Sequence, residues 1–491
     1  MANVIALVIT DLRESRLGLP SLCSYMLAGK TVLHRTVERL QQVKSVRKIV
    51  IVHPAEEDPL ALIDRTRLSG DKPIESFAHD NASGDRFTPM RRAARKWAMA
   101  AWRGGLGTAT CYDELLPSKP MFDAISAENA DAALIVGGDW PLVDPGFCQQ
   151  TAERHVDHPE AMQFTFTQAP PGLSGVTVGR ELLEQMAENK SYSFGSILAY
   201  VPSHPQADPI GKDVCVQIPS EVRHCARRFI YDNSRSVRMI DELDVDYDTA
   251  GAMDITRASS DVSQPPQQVT IELNTKRQVV GPLAQPIIDG EPMALDAVRE
   301  AIEKIAERSL GDTVITLGGN SDALEHPDWQ EIVNFAKGQD ILGICLETDL
   351  LTEPDDLPAL LDVPIDVLSV RLNADTNDTY KKVMQPLIPD AFRRVTNNIQ
   401  WLINERNRRW QAPDAPADVY PGVPWIVPRL IKTDDTLKDM ETFFDRWMHY
   451  SGHAVIEPAS GQATPPGVRV PPSHIASRAT VTADGQLQDQ S

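Results

Sequence analysis

The stretch from Val4 to Val52 constrains the fold more than any other part of the chain. An apolar run, Val4 to Ile9, is followed by the turn-like DLRESRLGLPS. A segment with Val32, Leu33, Val37 and Leu40 on one helical face comes next, then a second apolar run at Lys48 to Val52. Unbroken apolar runs suit strands buried on both faces, whereas apolar residues three and four apart suit a helix. Strand, helix and strand within about 50 residues make a βαβ unit, which requires a parallel sheet and places ligands at the carboxyl ends of its strands.

The pattern continues and then restarts. A further strand at Ala132 to Val136 runs into GGDWPLVDP, and the Pro- and Gln-rich SSDVSQPPQQ at 259 to 268 reads as a linker. Beyond it, apolar runs recur at Val269 to Leu273, Thr313 to Leu317, Ile341 to Glu347, Val367 to Leu372, Pro424 to Val427 and Ala454 to Ile456. Helical stripes lie between several of them: Leu295, Val298, Ile302 and Ile305; Phe392, Val395, Ile399 and Leu402; Leu437, Met440, Phe444 and Trp447. Six strands with crossover helices predict a partial (β/α) barrel. The expected class is therefore α/β: a parallel-sheet domain over 1–258, a linker over 259–268, a partial barrel over 269–458 and a poorly ordered tail over 459–491. A chain of 491 residues with 42% hydrophobic content has room for two such cores. From Glu56 to Ser126 the sequence is polar and irregular, and RRAARKWAMAAWRGG supplies its one basic run.

Charge and cysteine usage narrow the function classes. A net charge of −21, from 69 acidic and 48 basic residues, disfavours nonspecific binding to nucleic acid or anionic membrane. There is no apolar run of membrane-spanning length and no leader pattern, so neither a membrane nor a nucleic-acid partner is expected, and the expected location is the cytoplasm. The six cysteines, Cys23, Cys111, Cys148, Cys215, Cys225 and Cys345, are too far apart for a CxxC or a cluster-binding triplet. They read as small buried hydrophobes.

DLRESRLGLPS followed by LAGKTVLHRTVERL, together with GGDWPLVDP and RFIYDNSRS, resembles the nucleotidyltransferase fold of nucleotide-diphospho-sugar transferases, and most closely the spore-coat polysaccharide cytidylyltransferases. Ser15, Arg16, Leu17, Gly29 and Lys30 fall on the family's signature. The resemblance implies Ser15, Arg16 and Lys30 as nucleotide-binding residues, Arg16 and Lys30 as the cations acting on the phosphates, and Asp139 and Asp232 as carboxylates for Mg2+. The implied ligands are a nucleoside triphosphate or a nucleotide sugar, and the implied reaction activates a sugar or sugar acid for polysaccharide synthesis with release of pyrophosphate. Arg13 and Glu14 depart from the small residues of that loop, where glycine lets backbone N–H groups close on phosphates. Asp139 and Asp232 also suit ordinary turn capping. The cluster GGLG at 104 to 107 suits a turn, and Trp97 and Trp102, interleaved with the basic run, suit base stacking.

The second half resembles the radical S-adenosylmethionine superfamily. VTIELNTKRQVVGPLAQP stands where the family carries three cluster-binding cysteines and places Arg277, Gly281 and Ala284 at those positions, so no iron–sulfur cluster is expected. ITLGGNSDALEHPDWQEIV, VLSVRLNADTNDTYKKVM and WIVPRLIKTDDTLKDMETFFDRW follow the family's later strands. SRATVTADGQLQDQS resembles the frame of the SPASM extension without the cysteines that flank it there. Gly318, Gly319 and Asp322 form a candidate turn for the amino-acid part of S-adenosylmethionine or another small ligand, and equally a turn kept for barrel geometry. His326, before Pro327, reads as a helix-entry turn. Three functions follow: a nucleotidyltransferase; a noncatalytic pseudoenzyme or scaffold with a protein partner; and, least favoured without thiolates, a radical enzyme.

Overall fold

The computed structural model describes residues 3–16, 18–80, 112, 115, 117–188, 194–198, 213–284, 291–309, 311–412, 422–451, 454–458, 478–483 and 485–489. The chain divides between Gln264 and Pro265 into two compact units. The expected linker is narrower than its composition suggests. Its first three residues belong to the helix Ala252–Asp261 and its last opens the strand Gln268–Ile271.

Among its described residues, unit 1 carries nine strands: β1 Val4–Ile9, β2 Met26–Leu27, β3 Lys30–Thr31, β4 Val46–Pro54, β5 Ile74–His79, β6 Ala132–Gly137, β7 Phe164–Thr167, β8 Val176–Gly179 and β9 Cys215–Val216. β2 and β3 form a small hairpin, and the other seven make one sheet in the order β5-β4-β1-β6-β8-β7-β9. β1 pairs in parallel with both β4 and β6, and all six of its residues are buried, which is why its sequence shows no alternation. β5, parallel to β4, lies inside the region whose polarity suggested irregular chain. Its sequence IESFAH buries only Ile74, as an edge strand can. The helix Val32–Gln41 crosses between β1 and β4 and is capped by Thr31, whose hydroxyl accepts from the His34 N–H at 3.1 Å. Asp144 starts two helices at once. Its carboxylate accepts from Phe147 N–H at 2.9 Å in the helix Pro145–Asp157 and from Ala252 N–H at 2.7 Å in the helix Ala252–Asp261.

Unit 2 carries β10 Gln268–Ile271, β11 Val314–Leu317, β12 Gly343–Thr348, β13 Val367–Arg371, β14 Trp425–Lys432, β15 Val455–Pro458, β16 Arg478–Val481 and β17 Leu487–Asp489. They form a curled half-barrel sheet in the order β15-β14-β13-β12-β11-β10-β16-β17, parallel throughout except for the last pair. The six expected strands are all present. The tail differs from expectation: residues 478–481 pair in register with β10, and Glu272 N–H donates to Val481 O at 2.9 Å. The last helix also differs, because Met440–Ser451 buries Phe443 and Trp447 while Leu437 is exposed in a preceding 3-10 turn. Among the described residues no helix is long and apolar enough to cross a membrane.

Candidate functional site

In unit 1 the chain runs from β1 outward to β4 and β5 on one side, and then returns to place β6 on the other side of β1. The gap between the carboxyl ends of β1 and β6 is therefore a topological switch point, where flanking loops diverge and leave a crevice. Its walls meet closely. Gly138 N–H donates to Ile9 O at 2.8 Å, and a Cβ on Gly138 would stand 2.5 Å from the Thr10 hydroxyl oxygen. Glycine is required there by the approach of the two strand ends.

Asp139 follows immediately and is half-buried. Its carbonyl accepts from Tyr231 N–H at 2.8 Å, which brings the 228–236 segment to the same end of the sheet. The loop after β1 is folded onto itself. Asp11 accepts from Arg13 and Glu14 N–H at 2.9 and 3.1 Å, and buried Ser15 accepts from Leu19 N–H through its hydroxyl at 3.3 Å. Ser15 thus shapes this loop through its own backbone contacts. Arg16 is half-buried, and its charge adds to the effect of burial in lowering the pKa of His79, at the end of β5. The neighbourhood is otherwise acidic. Glu57 accepts from Leu12 N–H at 2.9 Å and lies 3.3 Å from Arg13, and burial, with the Asp11 carboxylate beside it, raises its pKa. Burial and then the Asp139 charge push the Cys23 thiol far up, so it stays protonated.

Two expected ligand groups are already engaged. The Lys30 ammonium, 10% exposed, bonds both Glu38 oxygens at 2.7 and 2.9 Å and Asp248 at 2.9 Å. Arg35 grips the same Asp248 oxygen at 2.9 Å while donating to Leu27 O and Ala28 O. Asp232, its side chain 1% exposed, is held on both oxygens by the Arg228 guanidinium and accepts from the Asn233 amide at 2.8 Å. A carboxylate neutralised in this way is a poor metal ligand. Of the two expected metal carboxylates this leaves Asp139, half-buried just after β6; Mg2+ takes only one or two protein carboxylates beside waters and substrate phosphates. Among the described residues no group of three or more His, Cys, Asp or Glu is arranged to hold a metal by itself. The basic run at 91–105, GGLG at 104–107, Trp97, Trp102, Leu17 and Cys111 lie outside the described residues.

In unit 2 the three family cysteine positions come together at the strand ends, with no thiol among them. Arg277, 3% exposed, donates to Ala284 O at 2.9 Å and clasps Asp349 through two nitrogens at 2.8 and 2.5 Å. Gly281 packs on the end of the helix Asn377–Met384, donating to Met384 O at 2.8 Å; a Cβ there would lie 2.5 Å from Met384 C. A cluster does not fit these residues. The donors are a cation, a glycine pressed on main chain and a buried alanine, and the guanidinium fills the cradle.

The glycine turn is equally engaged. Gly319 N–H donates to Glu347 at 3.1 Å, Asn320 N–H donates to Glu272 at 3.0 Å, and Arg371 donates to Gly319 O and Ser321 O at 2.6 and 2.7 Å. Asp322 caps the following 3-10 turn through Leu324 N–H at 3.0 Å and accepts from Asp349 N–H at 2.8 Å. His326 is a staple, its Nε2 donating to Met293 O at 2.9 Å and its Nδ1 accepting from Asp328 N–H at 3.1 Å. The sequence reading missed Asp349 and Arg371, the two groups that tie this end of unit 2 together. A charged pair inside otherwise apolar strand ends, TDLL and SVRL, was the available signal.

No family model and no curated protein matches the chain. Solved structures similar to it include a cytidylyltransferase from Leptospira borgpetersenii, 15% identical, covering 53% of this chain and 94% of that one, with a TM-score of 0.37. A CMP:2-keto-3-deoxy-manno-octonic acid synthetase complexed with CTP is 13% identical, covering 38% of this chain and 78% of its own, with a TM-score of 0.25. SuiB of Streptococcus suis bound to S-adenosylmethionine is 5% identical, covering 52% of this chain and 68% of its own, with a TM-score of 0.35. The structural neighbours thus include both kinds of protein that the sequence resembles.

Proposed function

We propose that unit 1 is a nucleotidyltransferase-type unit that binds a nucleoside triphosphate with magnesium and activates a sugar or sugar acid. The observation that supports this reading is Asp139, a half-buried carboxylate at the switch point between β1 and β6. Bound there, Mg2+ would offset charge on the phosphate oxygens as pyrophosphate leaves. Arg16 supplies positive charge from the facing loop, and Ser15 holds that loop in shape. Lys30 and Asp232 act as positioning residues in this reading. Lys30 fastens the start of its helix to the 246–248 segment, and Asp232 fixes the 228–236 segment through Arg228.

The test is a thermal-shift panel of CTP, UTP, GTP and ATP with magnesium on wild type and Asp139→Asn, followed by pyrophosphate release with sugar-acid acceptors. At least one nucleotide is expected to stabilise the wild type in a magnesium-dependent way, and Asp139→Asn is expected to lose that response. Equal shifts in both proteins, or none in either, would remove the basis of the assignment. A second reading, a noncatalytic binder with a protein partner, is favoured by the saturated pairing of Lys30 and by the carboxylates Asp11, Glu14 and Glu57 around the loop. It expects a folded chain with no thermal shift from any nucleotide or from S-adenosylmethionine, and a protein partner recovered by pull-down.

A further inference from the structure

We infer that the Arg277 guanidinium takes over in unit 2 the mechanical task of a metal cluster, tying the 277–284 loop to the strand ends so that this half-barrel folds with no cofactor. The geometry has two parts. Within the loop, Arg277 bonds Ala284 O at 2.9 Å, closing the 277–284 span, while Ala284 N–H donates to Gly281 O at 2.8 Å and Gly281 N–H to Met384 O at 2.8 Å. Toward the sheet, the same guanidinium holds Asp349, which follows directly on β12.

Asp349 gathers the remaining elements. Its carboxylate lies 3.2 Å from Arg371 at the end of β13, and its N–H donates at 2.8 Å to Asp322 in the turn after β11. Arg371 reaches back across to Gly319 O and Ser321 O in that turn. One fully buried carboxylate therefore joins the loop, the turn after β11, β12 and β13, much as a cluster joins its ligands. Burial alone would disfavour the charged form of Asp349, but Arg371 and Arg277 outweigh it and keep its pKa below the ordinary value. The network is closed on its other side too. The Gly319 and Asn320 N–H groups and the Gly319 and Ser321 carbonyls all have side-chain partners from unit 2. A small ligand at this turn would have to displace them. Unit 2 is on this account a self-liganded scaffold.

Removing one member of such a pair leaves an uncompensated buried charge, whereas replacing both by apolar groups removes the need for either. The experiment compares full-length wild type, Arg277→Met, Arg277→Lys and the double variant Arg277→Met with Asp349→Leu. The readouts are hydrogen exchange of the 277–284 segment, thermal melting, and iron content after anaerobic reconstitution with iron and sulfide. Wild type is expected to retain no stoichiometric iron and to protect the segment. Arg277→Met should exchange there on the order of a hundredfold faster. Arg277→Lys, which keeps the charge but loses the fork, should fall between, and the double variant should recover protection relative to Arg277→Met. The triple variant Arg277→Cys, Gly281→Cys, Ala284→Cys is expected to take up no cluster, because a side chain at 281 collides with the main chain of 383–384. Should Arg277→Met fail to fold, Arg277→Lys still carries the test. Unchanged exchange in Arg277→Lys and Arg277→Met, or a cluster retained by wild type, would overturn the inference.

Discussion

At the scale of single residues, the two aspartates expected to share a metal differ in burial. Asp139 is half-buried just after β6. Asp232 is buried in a bidentate pair with Arg228, itself buried. Asp232→Asn would remove the negative charge from that buried pair, and the expected cost is about 1–3 kcal/mol, read as a lowered denaturation midpoint. A variant as stable as wild type would show that the pair adds no net stability. Asp322 makes a pH-dependent case. Burial first, and then the Asp349 charge, push its carboxyl up to about 6. An unfolded Asp titrates near 3.9, so between about 4 and 6 the folded chain holds a proton that the unfolded chain has lost. The stability this group contributes is fully present below the lower value and is lost as pH rises through about 6, with a slope of up to about 1.4 kcal/mol per unit. Asp349 and Glu347, whose pKa values arginines hold below ordinary, lose their contribution at more acid pH. His34, His79 and His155, lowered by burial, act with the opposite sign across part of the same range. The measurement is therefore a difference. Wild-type stability minus that of Asp322→Asn should increase from pH 7 to pH 4.5, and parallel curves would exclude the assigned titration.

At the scale of elements, β16 is the strand whose removal is most informative. It pairs in parallel with β10 over four residues, covering what would otherwise be the edge of the half-barrel beside Arg277's loop. Truncation after residue 477 should expose the β10 edge, free the Glu272 N–H, and lower the melting temperature of unit 2 while leaving any nucleotide-induced shift in place. A truncated chain that melts like the intact one would mean that β16 adds no net stability. The same strand marks where the sequence was hard to read. β1, β4, β6 and β11 to β14 were legible because strands largely buried on both faces need continuous apolar runs, which stand out locally; β10 and β15 are less buried but still carry short apolar runs. β5 and β16, as IESFAH and RATV, mix polar and apolar residues and are specified by the neighbours they pair with. The last helix was placed correctly but given the wrong inner face, since the 3-10 turn at Leu437–Asp439 advances the phase before Met440 and brings Phe443 inward in place of Phe444. The candidate site suffered most. The family resemblance implied Lys30 and Asp232 as ligand groups, but the partner of Lys30 at Asp248 lies 218 positions away. No local pattern reports a pairing of that kind. Arg277 was expected at a cysteine position of the family it resembles, and its pairing with Asp349 spans 72 positions.

At the scale of the whole molecule, the two units have separate cores and separate electrostatic anchors. The apolar clusters around Ile5, Leu7 and Trp140 and around Phe229 and Tyr231 are drawn from unit 1, and the cluster around Ile271, Leu346 and Trp447 is drawn from unit 2. The buried ion pairs divide in the same way, Arg228 with Asp232 in one unit and Arg277 with Asp349 in the other. Cores that share no residues need not unfold together, and variants without shared partners add independently. Calorimetry of the full chain is therefore expected to resolve two transitions. Asp232→Asn should move only one of them and Arg277→Met only the other, with the double variant equal to the sum within a few tenths of a kcal/mol. Nucleotide with magnesium should raise the transition that Asp232→Asn lowers, because a ligand stabilises only the unit it binds. If one transition responds to every variant and to nucleotide, the units are coupled. Unit 2 would then contribute to the stability of unit 1.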